Sequence, residues 1–468
     1  MGLTVNKNTM KTPFKSLNLR EELLKSLEPL NFEHMTPIQE KSLPLILKGK
    51  DVIAKAKTGS GKTAAFGLGL LNSLDVKKES LHTLVLCPTR ELAEQVALDI
   101  RKLSSALPNI KTVTLCGGVS ESIQEKSLQS ISHIAVGPPG RVLHLLKKEA
   151  LNLSELNFFV LDEADRMLDM GFSEEINDIF KYLPEDKQTL LFSATYPKDI
   201  EKLSSEIQKN PVKIEVDTFD SENKIVDVFY EVRPTQDKNN LLYKVLSQHK
   251  PDRALVFCRT KKETHDVTVF LEGRGVSVAC LNGDLEQRER TEVFTKFSNQ
   301  SLSVLIATDI AARGLDIKDL ACVINYNMPS HAKDYVHRIG RTGRAGSTGL
   351  AFSFFNSEEN FRLVEIEKLT GKSCKVSDPT KLSYSEKYNL TPPMKTIFIS
   401  GGKKDKLRPG DIVGALTGEA KIKAKDIGDI SIQPAFSFVA IKRSLAKQAI
   451  DRLSAGRIKK KKYKVGFA

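Results

Sequence analysis

Short β-rich apolar runs recur along the first 370 residues, each separated from the next by a stretch with helical patterning. That rhythm leaves few folds open. Asp51-Val52-Ile53-Ala54 is the first run, and further strands are expected at Thr83–Leu86, Thr112–Leu115, His133–Val136, Phe158–Leu161 and Thr189–Phe192. Such runs, alternating with helices, imply a parallel sheet covered on both faces. The rhythm restarts after Asn210-Pro211, with strands expected at Ala254–Phe257, Val276–Cys280, Val304–Ala307, Val323–Asn325 and Ala351–Phe354. Two doubly wound α/β domains follow, with Asp217 to Asn223 as the joint between them.

A third unit begins beyond Asp378-Pro379 and Thr391-Pro392-Pro393. It reads strand (Thr396–Ser400), helix (Pro409–Leu416), strand (Asp429–Ile432), strand (Phe436–Ile441), helix (Leu445–Leu453), strand (Tyr463–Phe467). This βαββαβ order is that of the small α+β RNA-recognition fold. The expected boundaries are 1–216, 217–370, a linker at 371–393, and 394–468.

Charge separates the third unit from the rest. Residues 394–468 hold 18 Lys and Arg against 6 Asp and Glu, out of 71 and 58 in the whole chain. The remainder, 53 against 52, is close to neutral. A basic folded module on a neutral body fits contact with a polyanion. No apolar stretch approaches the roughly 20 residues of a membrane span, and Met1–Lys15 is polar with no apolar signal segment. The six cysteines are scattered, which fits free thiols in a reducing cytosol better than a disulfide scaffold or a metal cluster. A cytoplasmic protein that makes no membrane contact is the expectation.

The chemistry starts at Ala56-Lys57-Thr58-Gly59-Ser60-Gly61-Lys62-Thr63. Between a strand and a helix this is a phosphate loop. Gly59 and Gly61 let backbone amides face phosphates without an intervening Cβ. Lys62 reaches the β- and γ-phosphates, the Thr63 hydroxyl can ligate Mg²⁺, and the helix adds its positive end. Asp162-Glu163-Ala164-Asp165 follows the apolar run Phe158 to Leu161. Carboxylates at the end of a buried strand suit Mg²⁺ binding by Asp162, directly or through water, and orientation of the attacking water by Glu163. Together the two motifs indicate a protein that binds and splits a nucleoside triphosphate.

At this point the chain resembles the DEAD-box RNA helicases, whose core is two tandem RecA-like domains. Phe14, Phe32 and Thr36-Pro37-Ile38-Gln39 resemble the family's Q motif, which implies that Gln39 bonds the adenine edge and Phe32 stacks on it. Pro88 to Ala93, with Arg90, resembles motif Ia; Gly117-Gly118 the paired-glycine motif; Ser193-Ala194-Thr195 motif III, the link between triphosphate and RNA sites. In the second domain Phe257, Arg259 and Gln287-x-x-Arg290 resemble motifs IV and IVa, and Ala307 to Asp316 motif V. There Thr308 is implied to contact RNA phosphates and Asp316 the ATP ribose. His337 to Arg344 resembles motif VI. Its three arginines at three-residue spacing suit a loop entering a helix, with Arg341 and Arg344 as arginine fingers and His337 bridging to Asp165 and motif III.

The resemblance implies closure of the two domains on ATP and RNA, with contacts mostly to sugar and phosphate. One departure stands out. The family's Thr-Pro-Gly-Arg is here Pro138-Pro139-Gly140-Arg141, which removes a hydroxyl and an amide donor and predicts a weaker RNA grip, with Arg141 and Arg90 remaining as phosphate contacts.

The third unit resembles the RNA-binding domain of the bacterial DbpA-type branch (also called YxiN-type), which recognises a hairpin of large-subunit ribosomal RNA. The strings that carry this are Thr396 to Gly402, Arg408 to Leu416 and Phe436 to Ile441. In an RNA-recognition sheet Phe398 and Phe436 would stack on bases. Here Pro434-Ala435 replaces the usual Lys/Arg-Gly start, so RNA readout can instead depend on Lys403, Lys404, Lys406, Arg408 and Lys459 to Lys462, with at least one of Phe398, Phe436 and Phe438 in the core. The expectation is a monomeric ATP-dependent RNA helicase that remodels ribosomal RNA during large-subunit assembly. A general RNA chaperone in mRNA turnover or cold adaptation, and an ATP-gated RNA clamp, are the alternatives.

Overall fold

The computed structural model describes residues 12–468 except 57–58, 118–120, 197, 217–224, 234–236, 313–316, 318–319, 344–347, 384–389 and 419. The expected joint at Asp217 to Asn223 lies outside the described residues. The described chain groups into two compact units, one ending at residue 216 and the other starting at residue 225.

The first unit is built on seven parallel strands: β1 (Val52–Lys55), β2 (Thr83–Leu86), β3 (Thr112–Thr114), β4 (Ile134–Gly137), β5 (Phe158–Asp162), β6 (Gln188–Ser193) and β7 (Val212–Glu215). Their order is β3-β4-β2-β5-β6-β1-β7. Every residue of β2, β4, β5 and β6 is buried, which is why these segments are apolar end to end. Alternate residues feed two cores. Val52, Ala54, Val85, Val160 and Phe192 pack on one face, and Ile53, Leu84, Leu86, Phe159 and Leu191 on the other. Each such side chain contributes about 1.5–3 kcal/mol of burial. The order sets β1, β6 and β5 side by side, so the loops after them meet at one edge of the sheet, where open α/β sheets bind ligands.

The second unit repeats this plan with β8 (Ile225–Glu231), β9 (Ala254–Cys258), β10 (Val278–Leu281), β11 (Val304–Thr308), β12 (Cys322–Asn325), β13 (Gly349–Phe355) and β14 (Val376–Ser377), all parallel, in the order β10-β11-β9-β12-β13-β8-β14. It also carries a four-stranded antiparallel sheet of β15 (Met394–Ile399), β16 (Ile427–Ile432), β17 (Ser437–Lys442) and β18 (Val465–Phe467), in the order β16-β17-β15-β18. One face of this small sheet, with Ile397, Ile399, Val439 and Ile441, packs on helices Pro409–Gly418 and Ala446–Ala455 through Ile412, Leu416, Ala449 and Leu453. Among the described residues no helix is long and apolar enough to cross a membrane.

The expected fold class therefore holds: two doubly wound parallel sheets and a small α+β sheet. Strands β7, β8 and β14 are additions. β7 lies at an edge, with only Ile214 buried.

Candidate functional site

β1 delivers the chain into the phosphate loop. Gly59 and Gly61 take left-handed angles (φ 83° and 95°), and Gly61 caps helix Lys62–Ser73. A Cβ at Gly61 would stand 2.4 Å from Gln39 Nε2, so only glycine fits there. Lys62 is buried, its Nζ donating to Ala56 O at 3.1 Å, and Thr63 follows it half-buried on the first turn. Lys57 and Thr58 lie outside the described residues.

Helix Pro37–Leu47 braces this loop. Thr36 Oγ1 donates to Ser60 O at 2.8 Å and Gln39 Nε2 to Gly61 O at 3.0 Å. Gln39 Oε1 accepts from Thr36 N at 2.8 Å, closing a capping box. Both ends of the Gln39 amide are thus engaged by protein, which couples this segment to the loop conformation. Phe14 is core, and the more exposed Phe32 stacks on it with ring centres 6.4 Å apart.

Asp162 ends β5 beside Phe192 of β6. Burial drives its carboxyl up to about 6, against the pull of Lys62 and with the push of Glu163. Its Oδ1 is buried and has no hydrogen-bond partner among the described residues. Glu163 has a left-handed backbone (φ 55°) at the start of helix Ala164–Asp169 and pairs with Arg166 at 2.8 Å, both buried. Sequence reasoning passed over Arg166; its one-turn spacing from Glu163 was the available signal. Asp165 Oδ2 accepts from Thr195 N at 3.0 Å and Thr195 Oγ1 at 2.9 Å, and Ser193 Oγ donates to Thr195 O at 2.7 Å. The acidic tetrad and motif III are therefore one hydrogen-bonded assembly.

A second cluster in this unit gathers arginines. Arg90 opens helix Arg90–Leu103, and a Cβ at Gly117 would meet its Nη2 at 2.7 Å. Gly118 lies outside the described residues. Arg141 Nε donates to Gln124 Oε1 at 2.9 Å, Gln124 Nε2 to Cys116 O at 2.5 Å, and Glu121 stands 3.8 Å from Arg141. Gln124, buried and unremarked in the sequence, fixes the guanidinium. Pro138 precedes helix Pro139–Lys147 and gives it no side-chain cap.

In the second unit Thr308 ends β11 and accepts from Ala311 N at 3.4 Å. Gln287 and Arg290 lie on helix Gln287–Ser298, with Arg290 Nη1 donating to Asn282 O at 3.3 Å. The motif VI arginines depart from the expected geometry. They sit where helix Ala332–Ile339 ends, with Gly340 as its cap, rather than where a loop enters a helix. Arg338 is not solvent-facing. It forks onto Asp309 at 2.7 and 2.6 Å and also donates to Asn325 Oδ1 and Asn327 O at 2.9 and 2.8 Å. Arg341 is buried just past the helix and His337 half-buried within it. Arg344 and Asp316 lie outside the described residues. In the small sheet Lys403, Lys404 and Arg408 are exposed on the loop after β15.

Residues 36–203 match the DEAD/DEAH box helicase family, residues 237–346 the helicase conserved C-terminal domain, and residues 396–466 the DbpA RNA binding domain. The chain is 47% identical over 455 residues to the ATP-dependent RNA helicase DbpA of Escherichia coli (strain K12), covering 97% of this chain and 99% of that protein. It is 37% identical over 480 residues to the ATP-dependent RNA helicase DbpA of Bacillus subtilis (strain 168), covering 97% and 99%. Among solved structures it is similar to S. cerevisiae Dbp5 bound to RNA and ADP BeF3, with a TM-score of 0.72 and 32% identity over 79% of this chain and 96% of that one.

Proposed function

We propose that this chain, which belongs to the DEAD/DEAH box helicases and is an ATP-dependent RNA helicase of the DbpA type, works by closing two half-sites around ATP and RNA while its basic third domain holds large-subunit ribosomal RNA. The observation that carries closure is the division of parts. The phosphate loop, Asp162 and Glu163 belong to one compact unit, and Arg341 to the other.

In this reading Gly59 to Thr63, with Lys57 and Thr58, cradle the phosphates, Lys62 meets the β- and γ-phosphates, and Glu163 orients the attacking water. Arg341 and Arg344 arrive from the second unit to offset charge on the transferred phosphoryl group, an effect worth roughly 10³–10⁵ in rate. Phe32 and Gln39 set the base, and Asp316 the ribose. A buried carboxylate with an unpartnered oxygen fits a divalent cation, so Asp162 and Thr63 are the residues that would hold Mg²⁺, directly or through water. When bound, Mg²⁺ bridges phosphate oxygens and neutralises charge. Asp165, Ser193, Thr195 and His337 couple the two units. Arg90, Gly117, Gly118, Arg141, Gln287, Arg290 and Thr308 track the RNA backbone, and the protein acts as a monomer.

Support for the ribosomal target is the match of residues 396–466 to the DbpA RNA binding domain and the concentration of charge there. ATP hydrolysis measured with a large-subunit ribosomal RNA transcript and with poly-A tests it: a strong preference for the transcript is expected, and equal stimulation refutes the tether. Strand displacement on a short duplex carrying the transcript distinguishes unwinding from clamping.

A further inference from the structure

The small sheet has one face on its own helices and another turned away from them. Thr396 and Phe398 of β15, Phe436, and Phe438 and Ala440 of β17 share that second face, since Thr396 pairs with Ala440 and Phe398 with Phe438. An RNA-recognition sheet stacks bases on rings at such positions, which requires that the rings be exposed. Here Thr396, Phe438 and Ala440 are 1%, 0% and 0% exposed, and Phe398 and Phe436 are half-buried.

The cover comes from the second parallel-sheet domain. Helix Gln287–Ser298 packs against β17. The Arg288 guanidinium lies 5.5 Å from the Phe398 ring centre and 5.4 Å from that of Phe436, within cation–π range of both. Past the helix end, Asn299 Nδ2 donates to Thr396 Oγ1 at 2.9 Å and Thr396 Oγ1 to Asn299 Oδ1 at 3.2 Å, both residues buried. Met394 N donates to Gln300 O at 3.3 Å.

We propose that this aromatic face is the docking seat of the second domain, and that the third domain grips RNA phosphates with a lysine edge assembled from two separate loops. The inference rests on the reading above that the third domain holds RNA. The edge joins Lys403, Lys404 and Lys406 to the turn Lys459 to Lys462: Lys459 Nζ donates to Lys406 O at 2.8 Å, and Lys461 stands 3.8 Å from Asp405. Lys406, Lys459 and Lys460 take left-handed backbone angles (φ 57°, 49° and 66°), which fixes both turns so that their lysines share one surface. Asp405 and Asp411 each pair with one lysine of the edge, Asp411 with Lys459 at 3.4 Å. Lys403, Lys404, Lys460 and Lys462 are exposed and make no ion pair among the described residues.

Undocking would strand the buried Asn299–Thr396 pair and the Arg288 contacts together, more than one stacked base returns. Docking also places the edge at a fixed distance from Gln287 and Arg290 on the covering helix. RNA gripped by the edge is thereby presented to the core contacts in a constant register.

The test uses the full-length protein, titrated over a range of salt with a large-subunit ribosomal RNA transcript and with a poly-A oligonucleotide. The double variant Lys403→Ala, Lys404→Ala is expected to weaken transcript binding at least tenfold and to lower the salt slope by about one to two. Phe436→Ala is expected to stay within twofold, and hydrogen exchange in β17 to be the same with and without RNA. The proposal is overturned if Phe436→Ala costs tenfold with the edge variant unaffected. It is equally overturned if Arg288→Ala tightens oligonucleotide binding severalfold, because the rings would then be a base platform that the arginine merely plugs. Equal affinity of the unaltered protein for both RNAs sinks the ribosomal target alone, and the comparison of edge with face still decides this proposal.

Discussion

Replacing Arg338 by alanine should unfold the second unit more readily than any exposed substitution in it. The guanidinium is 4% exposed and satisfies two Asp309 oxygens, the Asn325 amide oxygen and the Asn327 carbonyl. It also lies over the Phe257 ring, 4.8 Å from its centre. Removing one partner of a buried, hydrogen-bonded ion pair costs about 3–5 kcal/mol, because the other charge stays behind. Asp309 keeps 30% exposure, so water relieves part of that, and about 3 kcal/mol is expected. Urea unfolding followed by circular dichroism reads the change, and hydrogen exchange in β11 and β12 assigns it to the second unit. A cycle with Asp309→Ala should give a coupling of about 1.5–3 kcal/mol. A loss below about 1 kcal/mol for Arg338→Ala, or a coupling below about 0.5 kcal/mol, would show that the fork contributes little and that this arginine is free for another role.

Lys62→Ala removes a buried cation beside Asp162 and the phosphate-facing charge of the loop. Nucleotide affinity should fall by about 2–3 kcal/mol, read with a fluorescent ATP analogue. Pro138→Thr supplies the missing cap of helix Pro139–Lys147, so thermal stability should rise by about 1 kcal/mol and RNA affinity with it; an unchanged RNA affinity contradicts the reading of this position. His82 is neutral in the fold, its pKa lowered from 6.5 to about 4 by burial first and then by His133, Lys78 and Arg20. A depressed histidine stabilises the fold above pH 6.5 and loses that stability as pH falls toward 4, about 2 kcal/mol between pH 7 and pH 5. His82→Gln should flatten this acid limb in urea unfolding, and an unchanged limb refutes the assignment.

The sheets were legible because their strands are buried on both faces. Phe158 to Leu161 or Val304 to Ala307 carry no polar residue, and nothing but an interior strand suits them in that context. β7 was not, because Val212-Lys213-Ile214-Glu215 alternates as a half-exposed edge does and is too short to announce itself. β14 is only two residues long. In the site, the phosphate loop and the acidic tetrad were readable from local order. The brace from Thr36 and Gln39 onto Ser60 and Gly61 was not, since it joins segments more than twenty residues apart. Three arginines at equal spacing gave no sign that Arg338 turns inward while Arg341 lies past the helix end; Gly340 decides that, by stopping the helix between them. The three phenylalanines of the small sheet were ambiguous for a related reason. Period-two alternation puts them on one face, but what covers that face belongs to another domain.

Joint use of two half-sites is tested most directly by single-turnover ATP hydrolysis with RNA present, comparing the unaltered protein with Arg341→Ala. Closure predicts a rate lower by roughly 10³ or more, with binding of an ATP analogue retained by the first unit. Phosphate release at the unaltered rate would contradict it.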